Sequence, residues 1–164
     1  MGAPCNICDP EPPYASLLRM DRNSGAYEVI AQGIRNTVGF DFEPGTGALW
    51  FSDNGRDMLG DEIPPEELNR LDAPGAHFGY PYVHGGAVLD PEFGAGHRLE
   101  DYAAPEARLP AHSAPLGLAF YTGSAFPERY RGDHILPNAN ISVSENRQDP
   151  LYSPEHYHKI QCQS

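Results

Sequence analysis

At 164 residues the chain is long enough for one domain with a real core. Its net charge of −12 and single lysine, Lys159, argue against nucleic acid, which needs a basic surface to displace counterions. With 17 Gly and 17 Pro against 40% hydrophobic residues, the composition favours an all-β, loop-rich fold, because both residue types disfavour helix interiors.

In chain order, Tyr14–Met20 reads as a strand closed by the turn at 21–25, and Tyr27–Ala31 as its hairpin partner. Thr37–Phe42 makes the next outgoing strand, Leu49–Phe51 returns across Pro44-Gly-Thr-Gly47, and Glu67–Leu71 is expected as the next strand of the same sheet. Residues 73–113 break the rhythm. They are rich in Gly, Pro, His and Tyr with little alternation, and read as a long loop segment. The rhythm resumes at 115–121 and 131–136. These two runs echo the pair at 37–51, with Gly39 and Gly117 in matching places 78 residues apart, and read as a second repeat unit. Short strands with turn chemistry between them predict a sandwich, barrel or propeller. From about Asn138 the alternation stops, so residues 1–138 are read as the β unit and 139–164 as a poorly ordered tail.

Cys5 and Cys8 form a Cys-x-x-Cys pair. No second Cys or His pair lies near them, so a local disulfide or two free thiols is preferred over zinc. Asp9 stands where haem attachment would require His. No run approaches ~18 apolar residues, so no membrane span is expected. The N-terminus lacks the basic start and apolar stretch of a secretion signal.

Arg35-Asn36 stands just before one strand, and the acidic loop Asp53-Asn-Gly-Arg-Asp57, with Asp61, Glu62, Glu66 and Glu67 beyond, follows its partner. A cationic hydrogen-bonding pair and a carboxylate-rich loop can converge on an anionic, metal-bound ligand. On their own, the pair reads as a surface salt bridge with a turn Asn and the loop as a solvated charge run. His77, His84, His97 and His112 are spaced at 7, 13 and 15, which fits no short ligand motif. His112, just before the resumed strand, is the one expected nearest the site. The sequon at Asn140, the Arg131-Gly-Asp133 tripeptide and the His-x-His at 156–158 are short enough to arise by chance.

PPYASLLRMD at 12–21, GIRNTVGFDFEP at 33–44, LWFSDNGRDMLGDEIPPEELNRL at 49–71, HFGYP at 77–81 and HSAPLGLAFYTGSAFPERYRGD at 112–133 resemble the sorbosone/soluble aldose sugar dehydrogenase family. So does PCNIC at 4–8. Those enzymes use pyrroloquinoline quinone (PQQ) and calcium on a six-bladed β-propeller. The resemblance implies an all-β partial propeller of about two blades, one incomplete. It implies a quinone-dependent oxidation of a sugar or sugar-derived aldehyde, with an external electron acceptor and a periplasmic or extracellular location. By this likeness Arg35 and Asn36 contact the quinone, Gly55 and Arg56 offer backbone carbonyls to the cofactor-holding calcium, and Glu67 falls where a second, structural calcium has an acidic ligand. The family's catalytic histidine and a basic segment near the end have no counterpart, as a truncated gene, a frameshift or a fragment would produce. The expectation is therefore a piece of such an enzyme, inactive by itself. The alternative is a non-catalytic calcium-stabilised β module or remnant.

Overall fold

The computed structural model describes residues 9–137. Cys5, Cys8, Cys162, the sequon, the His-x-His and the tail all lie outside them. The strands are β1 (Ser16–Met20), β2 (Tyr27–Gln32), β3 (Thr37–Phe42), β4 (Leu49–Asp53), β5 (Glu66–Leu71), β6 (Ala76–His77), β7 (Val83–His84), β8 (Val88–Leu89), β9 (Ala107–Leu109), β10 (Ala119–Phe120) and β11 (His134–Ile135). Two single 3₁₀ turns, Leu99–Asp101 and Glu128–Tyr130, complete the elements, and no α-helix occurs among the described residues.

The centre is a four-stranded sheet in the order β3-β4-β5-β9, antiparallel throughout. A three-stranded sheet, β1-β2-β6, packs on one of its faces and the two-stranded β10-β11 on the other, while β7-β8 forms a small hairpin. Strand alternation explains this layering. Phe51 and Leu71 point to one side and meet Ala31, Ile34 and Phe78, while Trp50 and Leu68 point to the other and meet Leu118 and Phe120. Phe51 meets Phe78 edge-on at 5.0 Å, and Trp50 meets Phe120 edge-on at 6.1 Å. A sheet covered on both faces needs apolar residues at consecutive positions, which is why Trp50-Phe51 does not alternate with polar residues.

Gly39 and Gly117, matched in the repeat, touch. A Cβ at Gly39 would stand 2.5 Å from the Gly117 backbone. β3 can lie this close to the Gly117 backbone because Gly39 carries no side chain.

Three expectations need correction. Residues 73–113 are not one long loop: Ala107–Leu109 is the fourth strand of the central sheet, with Leu68 opposite Ala107. Only three residues long and closed by Pro110, it offers no readable alternation. The strand expected over 115–121 shortens to Ala119–Phe120, because Pro115 has no N–H and the Leu116 N–H is spent on the Pro137 carbonyl at 2.9 Å. The one expected over 131–136 likewise shortens to His134–Ile135, the only two residues that pair with β10.

Candidate functional site

β4 ends in Asp53, and its buried carboxylate turns back to the residues before β3. It accepts the backbone N–H of Arg35 at 2.9 Å and that of Asn36 at 2.6 Å. One side chain therefore fixes both consecutive residues. From the other direction, the Asn54 N–H donates to the Asn36 carbonyl at 3.2 Å, and the Asn54 side-chain amide reaches that carbonyl and the Pro115 carbonyl. Ile34 to Val38, with Ala15 to Leu17 and Phe40, line a cleft of about 390 Å³ between β1 and β3. Arg35 and Asn36 both border it.

The Arg35 side chain is 9% exposed. Its guanidinium donates to the Asn54 carbonyl at 3.3 Å and to the Gly55 carbonyl, and pairs with Asp57 at 3.2 Å. The carbonyls at 54–55 thus already attract one cation. Arg56, three residues past the end of β4, is turned inward. Its guanidinium pairs with buried Asp90 at 2.6 Å and with Glu92 at 3.3 Å, and Asp90 also takes His84 Nε2 at 2.8 Å. Burial opposes the charge on Asp90, but the hydrogen bonds from His84 and Arg56 hold its carboxyl down to about 2. This pins the 55–57 loop to the β8 end and leaves Arg56 only its backbone to offer a ligand.

Glu66 and Glu67 open β5 beside the same loop. Glu66 accepts the Gly55 N–H, and Glu67 accepts the Gly85 N–H at 2.6 Å and the Asn69 amide at 2.8 Å. Asp53 pairs with Glu67 in the sheet register, so the two carboxylates share one face. Burial pushes Asp53 up to about 7; burial and then the Asp53 charge push Glu67 up to about 8. On that face Asn69 Oδ1 is buried with no hydrogen-bond partner. Among the described residues no three His, Cys, Asp or Glu side chains are arranged to hold a metal ion. Any cation here therefore depends on backbone carbonyls and the Asn69 amide oxygen as well as carboxylates, a donor set that suits a hard ion such as calcium.

The histidines do not converge. His84 serves Asp90, His97 stacks on Tyr82 at 3.9 Å, and His77 Nδ1 accepts the Gly79 N–H at 3.1 Å. His112, exposed and at φ +60°, meets the Gly60 carbonyl at 2.8 Å and closes over the acidic loop. Sequence reasoning missed the roles of Asp53 and Asp90. Asp53 lies in the quoted acidic run, where nothing distinguishes an acid that turns inward. Asp90 stands 34 residues from Arg56 with no local signal.

A family model described as Glucose / Sorbosone dehydrogenase matches residues 15–139, three quarters of the chain. The chain belongs to that family. It is 40% identical over 131 residues to an uncharacterised protein of Borreliella burgdorferi, covering 79% of this chain but 35% of that protein. In structure it is similar to a glucose dehydrogenase (24% identity, 74% of this chain and 38% of the other, TM-score 0.57). It is also similar to the holo form of the pyranose dehydrogenase PQQ domain of Coprinopsis cinerea (19% identity, 66% and 37%, TM-score 0.52). The chain thus spans about a third of the length of the proteins it matches, and its small sheets are part of a β-propeller. No helix among the described residues is long and apolar enough to cross a membrane.

Proposed function

We propose that this member of the family carries the cofactor-contacting Arg-Asn pair and the calcium loop of a PQQ-dependent dehydrogenase that oxidises a sugar or sugar-derived aldehyde. The observation that carries the reading is the pair of hydrogen bonds that the Arg35 and Asn36 backbone N–H groups donate to Asp53 at the edge of a cleft. PQQ has three carboxylates and an ortho-quinone. Arg35 would supply a guanidinium for a carboxylate and Asn36 an amide N–H to polarise the quinone, while Asp53 keeps the backbone of both residues in place. When bound, the quinone supplies the acceptor for the substrate's hydride. The Gly55 and Arg56 carbonyls would hold the calcium beside it, and Glu67, with the oxygens of Asn69 and Asp53 on the same face, would hold a structural calcium. The electron acceptor is an external one, and the location periplasmic or extracellular, as in the enzymes the sequence resembles.

A second reading applies to the 164 residues alone. None of the described sheets closes on itself, and no described histidine is placed as a base in the Arg35 cleft, which favours a calcium-stabilised module that binds without turnover. Both readings meet in one experiment. PQQ is titrated by absorbance into the chain with calcium and with chelator, then into Arg35→Ala and Asn36→Ala. Loss of a hydrogen-bonded charge pair is worth roughly 1.5–3 kcal/mol, so Arg35→Ala should weaken binding about 10- to 100-fold. Unchanged affinity in both variants, or no effect of chelator, overturns the assignment.

A further inference from the structure

Two groups with separate roles in the proposed site touch each other. Arg35 would face a cofactor carboxylate, and the Gly55 carbonyl would hold the calcium. Yet the Arg35 guanidinium donates to the Gly55 carbonyl and to the Asn54 carbonyl at 3.3 Å, and pairs with Asp57 at 3.2 Å. Three oxygens from one short loop therefore converge on a single cationic head group, and that head group is almost wholly buried.

The loop is braced behind those oxygens. The Gly55 N–H is held by the buried Glu66 carboxylate, so the trans peptide aims the Asn54 carbonyl the opposite way, toward Arg35. The Asn54 N–H is held by the Asn36 carbonyl at 3.2 Å. On the far side Arg56 Nε donates to the Asp57 carbonyl at 3.3 Å, while its guanidinium is fixed on Asp90. A backbone held at both ends cannot fold its oxygens away, so they keep attracting positive charge. Two carbonyls and a carboxylate suit a guanidinium fork, and they equally suit calcium.

We propose that the Asn54 and Gly55 carbonyls and the Asp57 carboxylate form one cation seat, in which the Arg35 guanidinium and a calcium ion exclude each other. The proposal rests on the quinone and calcium reading. It goes beyond that reading by giving Arg35 a second position and by adding Asn54 and Asp57 to the donors. The reason for exclusion is distance. Two cations sharing one oxygen stand roughly 4–5 Å apart. That is well inside the ~8 Å screening length of physiological salt, so their repulsion is not screened away. Arg35 therefore leaves the seat when calcium binds, and its guanidinium becomes available to an anionic group in the cleft it borders. The favoured order is calcium first and the carboxylate ligand second.

The test is nitrogen-15 NMR on the full chain with calcium alone, which reads this loop separately from the Glu67 face. The Arg35 Nε–H signal is assigned by its loss in Arg35→Ala. In the parent it should move with the same calcium midpoint as the amides of Gly55, Arg56 and Asp57. In Arg35→Ala those amides should titrate at about 10-fold lower calcium, the strength of a charged hydrogen-bonded contact. Removing a positive charge also favours calcium by itself, so the head group is added back untethered. Ethylguanidinium at millimolar concentration should raise the variant's calcium midpoint. Tetramethylammonium, with the same charge and no N–H, should not. If Arg35→Ala loses the dispersed amide spectrum of the fold, Arg35→Gln takes its place. An Arg35 signal unmoved at saturating calcium, or equal midpoints in parent and variant, overturns the exclusion and leaves the wider reading to the quinone titration. Competition by tetramethylammonium as strong as that by ethylguanidinium overturns the shared seat, because the effect is then charge alone. Loop amides that respond to calcium in neither protein overturn both the seat and the calcium reading.

Discussion

The two repeat regions, 37–53 and 117–136, place the same residue type in the same position and give it opposite surroundings. Phe120 is buried under Trp50, while Phe42 faces outward. Sequence pattern alone marks both as core. What separates them is the neighbour: the second region has the complete central sheet beside it, and the first has only the outer pair β1-β2. Burial in a propeller belongs to the junction between blades, so a residue's exposure reports which blade is present next to it.

The largest test of that comparison is Phe120→Ala. Removing a buried ring that meets both Trp50 and His134 leaves a cavity, and the expected loss is about 3–5 kcal/mol in a urea melt. A loss below about 1 kcal/mol would mean that β10-β11 is not docked on the central sheet in solution.

Next in size are the paired glycines. A methyl at Gly39 collides with backbone at 2.5 Å, whereas one at Gly117 meets only the Pro137 ring at 3.1 Å. Gly39→Ala should therefore cost about 1–3 kcal/mol and Gly117→Ala clearly less. Equal costs would show that the two strands can move apart.

Much of this was legible beforehand. The repeat, the hairpins and the β3 limits came from turn chemistry and alternation, and the close approach to the Gly117 backbone explains the glycine at 39. The hidden parts depend on partners distant in sequence. Ala107–Leu109 becomes a strand only because β5 lies beside it, and Asp90 becomes buried only because Arg56 reaches it. At the site, Arg35 and Asn36 were readable as a pair. That Asp53 holds their backbone was not, since an acid serving N–H groups and an acid serving solvent have the same letter.

The first region also ends in that buried acid. Asp53 is pushed up to about 7 in the fold against roughly 3.9 in an unfolded chain, so the folded state binds the extra proton between these values. Its contribution to stability is highest below pH ~4 and is lost as pH rises toward 7. Asp53→Asn removes this loss. Measured in chelator, the stability of the variant relative to the parent should climb over that range, by up to about 1.4 kcal/mol per pH unit. Parallel pH profiles would show Asp53 ionised inside the fold, with cations compensating its burial.

The smallest expected effect falls on the exposed partner. In a dilute, low-salt solution where the chain is monomeric, Phe42→Ala removes a ring that covers little, and the urea midpoint should move by no more than about 0.5 kcal/mol. A large Phe42 effect already present in the dilute monomer would place the ring in the chain's own core.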